Sequence, residues 1–346
     1  MVSKSKLLVF NFVMDSNDPL LSHQHEAVIG LAKNFNKIIV ITGKIGEVTP
    51  NPKIQMISTD WVQGRLLRNL LNLFYKAIPV IVRGDFSSAF FHMTDLQSAL
   101  LSPLIRLRRR RQYLWYAHTF KSKYLVFASK WVTGVVTSTS GSCPLPAELV
   151  LPIGQAIDEE KFRPISLDVL DLNKLIHIGR FDKSKNIDYL VLSAEKIRRS
   201  FSEVELTIIG STANKESRNW ADNLISQSRQ YVNDGWLRFQ ESIPREEFPI
   251  EMAKNGCFFH YYLGSLDKTL IEATMLCVPV VTLNPEYIGI FGTWSKNSIT
   301  DLEGEYRALR SLSSSEIQSK LIKRLEIARE HHSLRRWVNQ LTMLLL

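Results

Sequence analysis

Cysteine is scarce in this chain of 346 residues: there are three, Cys143, Cys257 and Cys277, far apart and in no metal-ligand spacing. Such a set excludes a disulfide framework and a structural zinc site, and it fits a reducing compartment. No run of 18 or more apolar residues occurs, and Met1–Lys6 lacks the apolar stretch of a signal peptide, so a soluble, cytoplasmic protein is expected. An Asp-x-Asp metal motif is missing, as is any helix-turn-helix, zinc-finger or RNA-recognition signature. With hydrophobic residues at 45% and charged residues at 22%, a disordered or fibrous chain is excluded as well.

What the chain has is positive charge, unevenly placed. Residues 1–165 hold 20 Lys/Arg against 11 Asp/Glu, whereas residues 166–346 hold 23 of each, so the whole net charge of +9 belongs to the first half. That half is expected to face something anionic. Two stretches concentrate the charge: Arg106 with Arg108–Arg111, and the Leu-, Phe- and Tyr-rich segment Leu66–Val82, interrupted by Arg68 and Lys76 and flanked by Arg65 and Arg83. Two readings of Leu66–Val82 stand. It is a core helix with snorkelling cations, or a helix lying on an anionic membrane surface. Nucleic acid is not expected as a partner, because the second half has no basic excess.

Apolar, β-rich runs alternate with helical patterns throughout. In the first half strands are predicted at 7–13, 37–42, 54–58, 80–82, 113–117, 134–138 and 149–151, with helical spacing from Pro19 to Lys33. A polar stretch, Ile165–Asn173, reads as a linker. The pattern then restarts, with strands at 175–179, 204–210, 237–241, 257–262 and 278–282 and helices between them; Ser313–Leu346 is helical, with an apolar tail at Met343–Leu346 suited to docking. Alternation of this kind implies parallel strands joined by crossover helices. The expected fold is α/β: two Rossmann-like domains, 1–165 and 166–346, facing each other across a cleft, with the last helix able to cross back to the first.

Two stretches of the second half could carry chemistry. In LIHIGRFDKSKNIDYL (Leu175–Leu190) a strand runs into Gly179, and Arg180 and Lys185 follow at the threshold of a helix, an arrangement that suits a diphosphate. The bland alternative is a solvated basic loop. In LGSLDKTLIEATMLCVPVVT (Leu263–Thr282), Gly264 and Ser265 open a turn and a helix begins near Lys268 and Thr269, whose backbone N–H groups could cap a phosphate. Glu272, inside that helix, is either a surface carboxylate or one that accepts hydrogen bonds from a ribose diol.

In this order, the two stretches resemble the retaining glycosyltransferases of family 4, which have the GT-B fold. Gly179, Arg180 and Lys185 match the family's G-R-x(4)-K segment, and Glu272-Ala273 with Pro279-Val280-Val281 match the ends of E-A-M-A-C-G-x-P-V-V. Leu151–Pro164 is similar to the family's lead into the interdomain linker, and Val204–Gly210 to its L-x-I-V-G strand. WYAH (Trp115–His118) and TSTSGS (Thr137–Ser142) resemble first-domain segments of members in which a histidine or serine borders the acceptor cleft.

Three positions depart from the pattern. The family's E-x(7)-E pair needs a glutamate at 264, where this chain has Gly264, with Asp267 three residues on. NDPLLSHQ (Asn17–Gln24) replaces a glycine-glycine loop. Cys277 replaces a glycine, which reads as a packing change.

The resemblance implies a metal-independent hexosyltransferase that moves a sugar from a nucleotide-diphosphate donor, with retention, to a glycan or lipid-linked acceptor in cell-surface polysaccharide or lipopolysaccharide synthesis; the basic first half would hold it at the inner face of the membrane. It uses no cofactor, since the sugar nucleotide is a substrate. The first domain would bind the acceptor and the second the donor. Arg180 and Lys185 would stabilise the leaving diphosphate, and Asp267 would hold the sugar. Gly179, Ser265, Lys268, Thr269 and Glu272 would hold the rest of the donor, with the base near Phe239–Ile243, Ile243 included. His118 would contact donor sugar or acceptor, and His23 and Ser140 would line the acceptor side. A sugar-nucleotide epimerase of the same architecture, or a catalytically silent GT-B protein that binds a glycan or a partner, are the alternatives.

Overall fold

The computed structural model describes residues 5–18, 20–165, 171–212, 214–297 and 299–346. Residues 166–170 of the expected linker, Met1–Lys4 and Pro19 lie outside that set. The chain divides into two compact units, Met1–Ala156 with Leu334–Leu346, and Ile157–Ser333. The division thus falls ahead of the expected 165/166 junction, and the C-terminal helix counts with the first unit.

The first unit runs β1 (Lys6–Met14), α1 (Ser22–Ala32), β2 (Lys37–Ile45), β3 (Ile54–Ser58), α2 (Leu66–Arg83), β4 (Ser88–His92), α3 (Asp95–Leu107), β5 (Arg111–Trp115), α4 (Lys123–Ala128), β6 (Gly134–Thr137) and β7 (Val150–Pro152). Its seven strands are parallel, in the order β3-β2-β1-β4-β5-β6-β7. Side chains alternate across a strand, so Leu7 and Val9 enter one core layer and Leu8 and Phe10 the other. A strand covered on both faces must be apolar almost throughout, which is why the β1 segment is legible as a strand. The C-terminal helix Leu334–Leu345 seals the first layer with Trp337, Val338, Leu341 and Leu345. It lies so close to α1 that a Cβ on Gly30 would come within 2.7 Å of Val338. The expected docking tail is therefore only partly used, since Met343 and Leu346 are exposed.

Two expectations are corrected here. Residues 80–82 are not a strand but the last turn of α2, where Ile81 reaches the core; β-branching favoured a strand locally, and packing of the helix overrode it. The strand that pairs with β1 is β4, SAFFH, too short and too fully buried to show any alternation.

The second unit repeats the plan with β8 (Lys174–Ile178), α5 (Ile187–Arg198), β9 (Glu205–Gly210), α6 (Lys215–Gln227), α7 (Arg229–Asn233), β10 (Leu237–Glu241), α8 (Phe248–Ala253), β11 (Cys257–His260), α9 (Lys268–Met275), β12 (Val280–Thr282), α10 (Pro285–Phe291), α11 (Leu302–Arg310) and α12 (Ser314–His332). Its five parallel strands are ordered β10-β9-β8-β11-β12. At the end of α9 the Val278 N–H bonds the Ala273 carbonyl and the Cys277 N–H that of Thr274. This closure needs a left-handed residue, and Cys277 has φ 56°. The family glycine at this position therefore has a backbone reason, not the packing reason first read, and cysteine carries the strain.

Candidate functional site

In an open parallel sheet the ligand crevice lies at the carboxyl ends of the strands, where the chain order reverses. In the second unit that point is between β8 and β11. From β8 the chain passes Gly179 and Arg180 into a short turn, Lys183–Lys185; from β11 it passes Tyr261 to Gly264 into α9. Glycine at 179 is dictated by close approach, since a Cβ there would stand 2.9 Å from the buried His177 ring.

Lys185 is buried, its side chain 10% exposed, and its ammonium donates to Asp267 Oδ2 while standing 4.0 Å over the Tyr262 ring. Asp267 is the extended residue that opens α9, yet its carboxylate makes no capping bond to the helix. It turns to Lys185 and to His260 Nε2, 3.4 Å away. The His260 tautomer follows from its other nitrogen. Thr282 Oγ1 accepts from the Asn284 N–H and lies 3.1 Å from His260 Nδ1, toward which the Tyr262 N–H also points. With donors on Nδ1, the proton sits on Nε2 and is donated to Asp267. Asn284 fixes the loop by donating to the carbonyls of Tyr262, Gly264 and Ser265. A Cβ at 264 would stand 2.2 Å from Tyr262 Oη, so the tyrosine that covers Lys185 takes the space a side chain at 264 would need.

Electrostatics follow from burial. Removal from water opposes ionisation of Asp267, but the Lys185 ammonium and the His260 N–H outweigh it and hold the carboxyl well below its ordinary range. Burial pushes His260 down and pushes His177 down to about 3, His260 adding to the latter effect, so both rings are neutral. His177 places Nδ1 3.0 Å from the Phe259 carbonyl, and its Nε2 has no hydrogen-bond partner among the described residues.

The sign of the pH dependence is fixed by these shifts. Above 6.5 neither state is protonated at either ring; below it the unfolded chain takes up protons that the fold excludes. Stability should therefore fall as pH drops below 6.5, by roughly 1 kcal/mol per pH unit from His177 down to its folded value, with His260 acting in the same direction. The Asp267 contribution is full above 3.8 and is lost progressively as pH falls from there toward its lower folded value. Denaturant titrations at pH 7 and pH 5 check this, and His177→Phe should flatten the slope; equal stability at the two values would contradict the buried neutral rings.

Glu272, on α9, is fully buried, and both its oxygens accept from Arg245, one at 3.0 Å. Arg245 sits in the loop after β10, its guanidinium 4.9 Å and 5.1 Å from the ring centres of Phe248 and Phe162. The carboxylate expected at a ribose diol is thus engaged by an internal guanidinium. A diol would meet it only beside that group or in its place.

The first unit has its own crevice at the reversal between β1 and β4. Gln24 ties the two strand ends together, accepting from the N–H groups of Phe12 and Val13 and donating to the His92 carbonyl. A cavity of about 360 Å³ opens there, walled by Phe12, Met93, Trp115, Tyr116, Phe120 and Tyr124, with Asp95, His118 and Ser122 as its polar members.

Of the residues singled out from sequence, the structure joins Lys185 to Asp267, with Ser265 in the loop between Tyr262 and α9, and Lys268 and Thr269 in the first turn of that helix. Thr269 Oγ1 is buried without a hydrogen-bond partner among the described residues. Arg180 is exposed beside Asp182, whose carboxyl is held low mainly by the Ser184 hydroxyl and partly by Arg180. Ile243 is half-buried against the unit's core. His118 lines the first unit's cavity; His23 Nε2 lies 3.5 Å from Met93 Sδ at its edge; Ser140 is exposed and outside its lining. Sequence reasoning missed His260, Thr282, Asn284, Tyr262, Arg245 and Gln24. Only Asn284 had a readable signal, as a helix cap followed by Pro285.

Residues 158–289 match the family described as Glycosyl transferases group 1. No curated protein sequence matches the chain. Among solved structures it is similar to HepE of Anabaena in complex with UDP and glucose (13% identity, TM-score 0.73, 98% of each chain covered). Similar too are sucrose-phosphate synthase of Thermosynechococcus elongatus (12%, 0.71, 98% of each) and an Escherichia coli trehalose-6-phosphate protein bound with UDP-2-fluoro glucose (12%, 0.72, 99% of each). Within the second unit, residues 158–289 thus resemble the glycosyl transferases group 1 family, and the chain has the GT-B fold.

Proposed function

We propose that this protein is a retaining glycosyltransferase that takes a sugar from a nucleotide-diphosphate donor, a UDP-sugar by analogy with the neighbours, and passes it to a glycan or lipid-linked acceptor of the cell surface. The observation that carries the reading is the buried Lys185–Asp267–His260 cluster at the β8/β11 reversal, beside the start of α9. Departure of the diphosphate is the hard step, because charge builds on the leaving oxygen. Lys185 and Arg180 would meet that charge, with the N–H groups of Lys268 and Thr269 at the helix mouth, and this set needs no metal.

When Lys185 turns to the diphosphate, Asp267 is released to accept from a sugar hydroxyl. The His260 N–H stays on the carboxylate and keeps it from standing unpaired. Phe239 and Ile243 would flank the base. The aromatic cavity of the first unit suits the apolar face of an acceptor sugar, with His118 as its polar contact and His23 at the edge; Ser140 is a peripheral candidate. Gly264 favours one second reading, a donor-binding protein without turnover.

The test is release of nucleoside diphosphate from a panel of UDP- and GDP-sugars in the presence of membrane extract. Release that requires extract supports transfer. Isomerised sugar nucleotide without extract would indicate an epimerase, and tight binding with no release a silent protein.

A further inference from the structure

The helix α2 buries Asn69, Leu73, Ala77 and Ile81, yet it also exposes Leu67, Leu71, Tyr75, Ile78 and Val82. These five follow one another at intervals of four, four, three and four residues, so at 3.6 residues per turn they form a single outward stripe about 80° wide. A helix that serves only as core has no use for a second apolar face. Arg65, Arg68, Lys76 and Arg83 are exposed beside it, and no carboxylate occurs from Gly64 to Gly84.

The stripe is part of a larger surface. α2, α3 and α4 share one core layer, through Leu73, Ala77 and Ile81, Leu101 and Ile105, and Leu125 and Ala128. The outer side of that layer also exposes Leu107 among Arg106, Arg108 and Arg109, and Phe127 and Trp131 beside Lys123 and Lys130. Arg110 donates to the Gly84 carbonyl and Arg108 crowds Gly84, which sets the arginine block against the end of α2. From Trp61 to Ala147 twelve Lys/Arg stand against two Asp/Glu, Asp85 and Asp95, and Asp85 is paired with Lys6.

We infer that the outer surface of the α2–α3–α4 layer docks on an anionic lipid bilayer, with the α2 stripe in the headgroup–acyl boundary and the surrounding cations on lipid phosphates. Both halves of the surface are used only by that partner. Nucleic acid would take the cations and leave the aliphatic stripe in water. A second copy of the chain would cover the stripe but press like charges together. Tyr75 and Trp131 are the amphipathic rings that favour the interface. No helix among the described residues is long and apolar enough to cross a membrane, so the association is a lateral one.

The inference does not depend on the transferase reading, and its test needs no turnover. The full chain is sedimented with vesicles of phosphatidylcholine alone and of equal parts phosphatidylcholine and phosphatidylglycerol. Pelleting with the second and not the first, weakened by salt, is expected. Leu67→Ser/Leu71→Ser/Val82→Ser and, separately, Arg65→Gln/Arg68→Gln/Lys76→Gln/Arg83→Gln should each lower partitioning by about tenfold or more, with unchanged melting because all seven side chains are exposed. Equal binding to both vesicles, binding unmoved by either set, or a dimer in light scattering that the serine set dissolves would overturn it.

Discussion

Replacing Lys185 by alanine is expected to lower kcat/KM for sugar transfer by about 10²–10³-fold, the scale of losing one preorganised charge from a site where negative charge develops. The same change strands Asp267. Its carboxyl is ionised inside the fold chiefly because Lys185 outweighs burial, so without the ammonium it moves upward and the unit loses stability. Turnover and folding would then fall together, and one variant cannot separate them. Lys185→Met/Asp267→Asn can: with both charges gone the desolvation cost disappears, melting should return toward wild type, and transfer should stay lost. A Lys185→Ala protein that turned over at the wild-type rate would remove Lys185 from the diphosphate. Turnover restored in the double variant would mean that the pair is structural only.

The second large effect is expected at Arg245. Glu272 is fully buried and Arg245 accounts for both its oxygens, so Arg245→Ala leaves an uncompensated charge inside the second unit. Loss of one partner of a buried pair costs about 3–5 kcal/mol. At roughly 2–4 °C per kcal/mol for a domain of this size, the melting temperature should drop by roughly 10 °C. Arg245→Met/Glu272→Gln removes both charges at similar volume and should recover most of that loss. Its donor affinity is then informative: weaker nucleotide binding in a folded double variant would assign Glu272 to the ribose, and unchanged binding would leave the pair as a brace between the β10 loop and α9. Calorimetric melts together with nucleotide titrations supply both readings. An unaltered melt for Arg245→Ala would contradict the pair itself.

Both predictions rest on contacts between residues distant in sequence, and the limits of sequence reading lie there. Arg245 is 27 residues from Glu272, and Lys185 is 82 from Asp267. Neither spacing has a period that helix or strand geometry would reveal. The Gly179–Arg180–Lys185 run reads from sequence as one suited to a phosphate, but that Lys185 is buried against an aspartate and a tyrosine ring is not legible there. His260 ends the apolar strand CFFH without any flanking motif, and its role arises only because β12 brings Thr282 to one of its nitrogens and the α9 loop brings Asp267 to the other. Likewise the stripe on α2 shares its apolar composition with the buried face. Only the packing of Leu73, Ala77 and Ile81 under the sheet shows which side remains uncovered.

The sequence by itself determined that the chain builds two parallel α/β sheets, because strands buried on both faces must be continuous apolar runs and parallel neighbours need helical crossovers between them. It also determined the charge asymmetry, and the glycines where strands turn over the site. Tertiary structure alone decided which ionisable groups meet, which carboxylate is paired with an internal arginine and which apolar face stays in water. Those outcomes depend on the docking of separate elements, and side-chain chemistry carries no record of its distant partner.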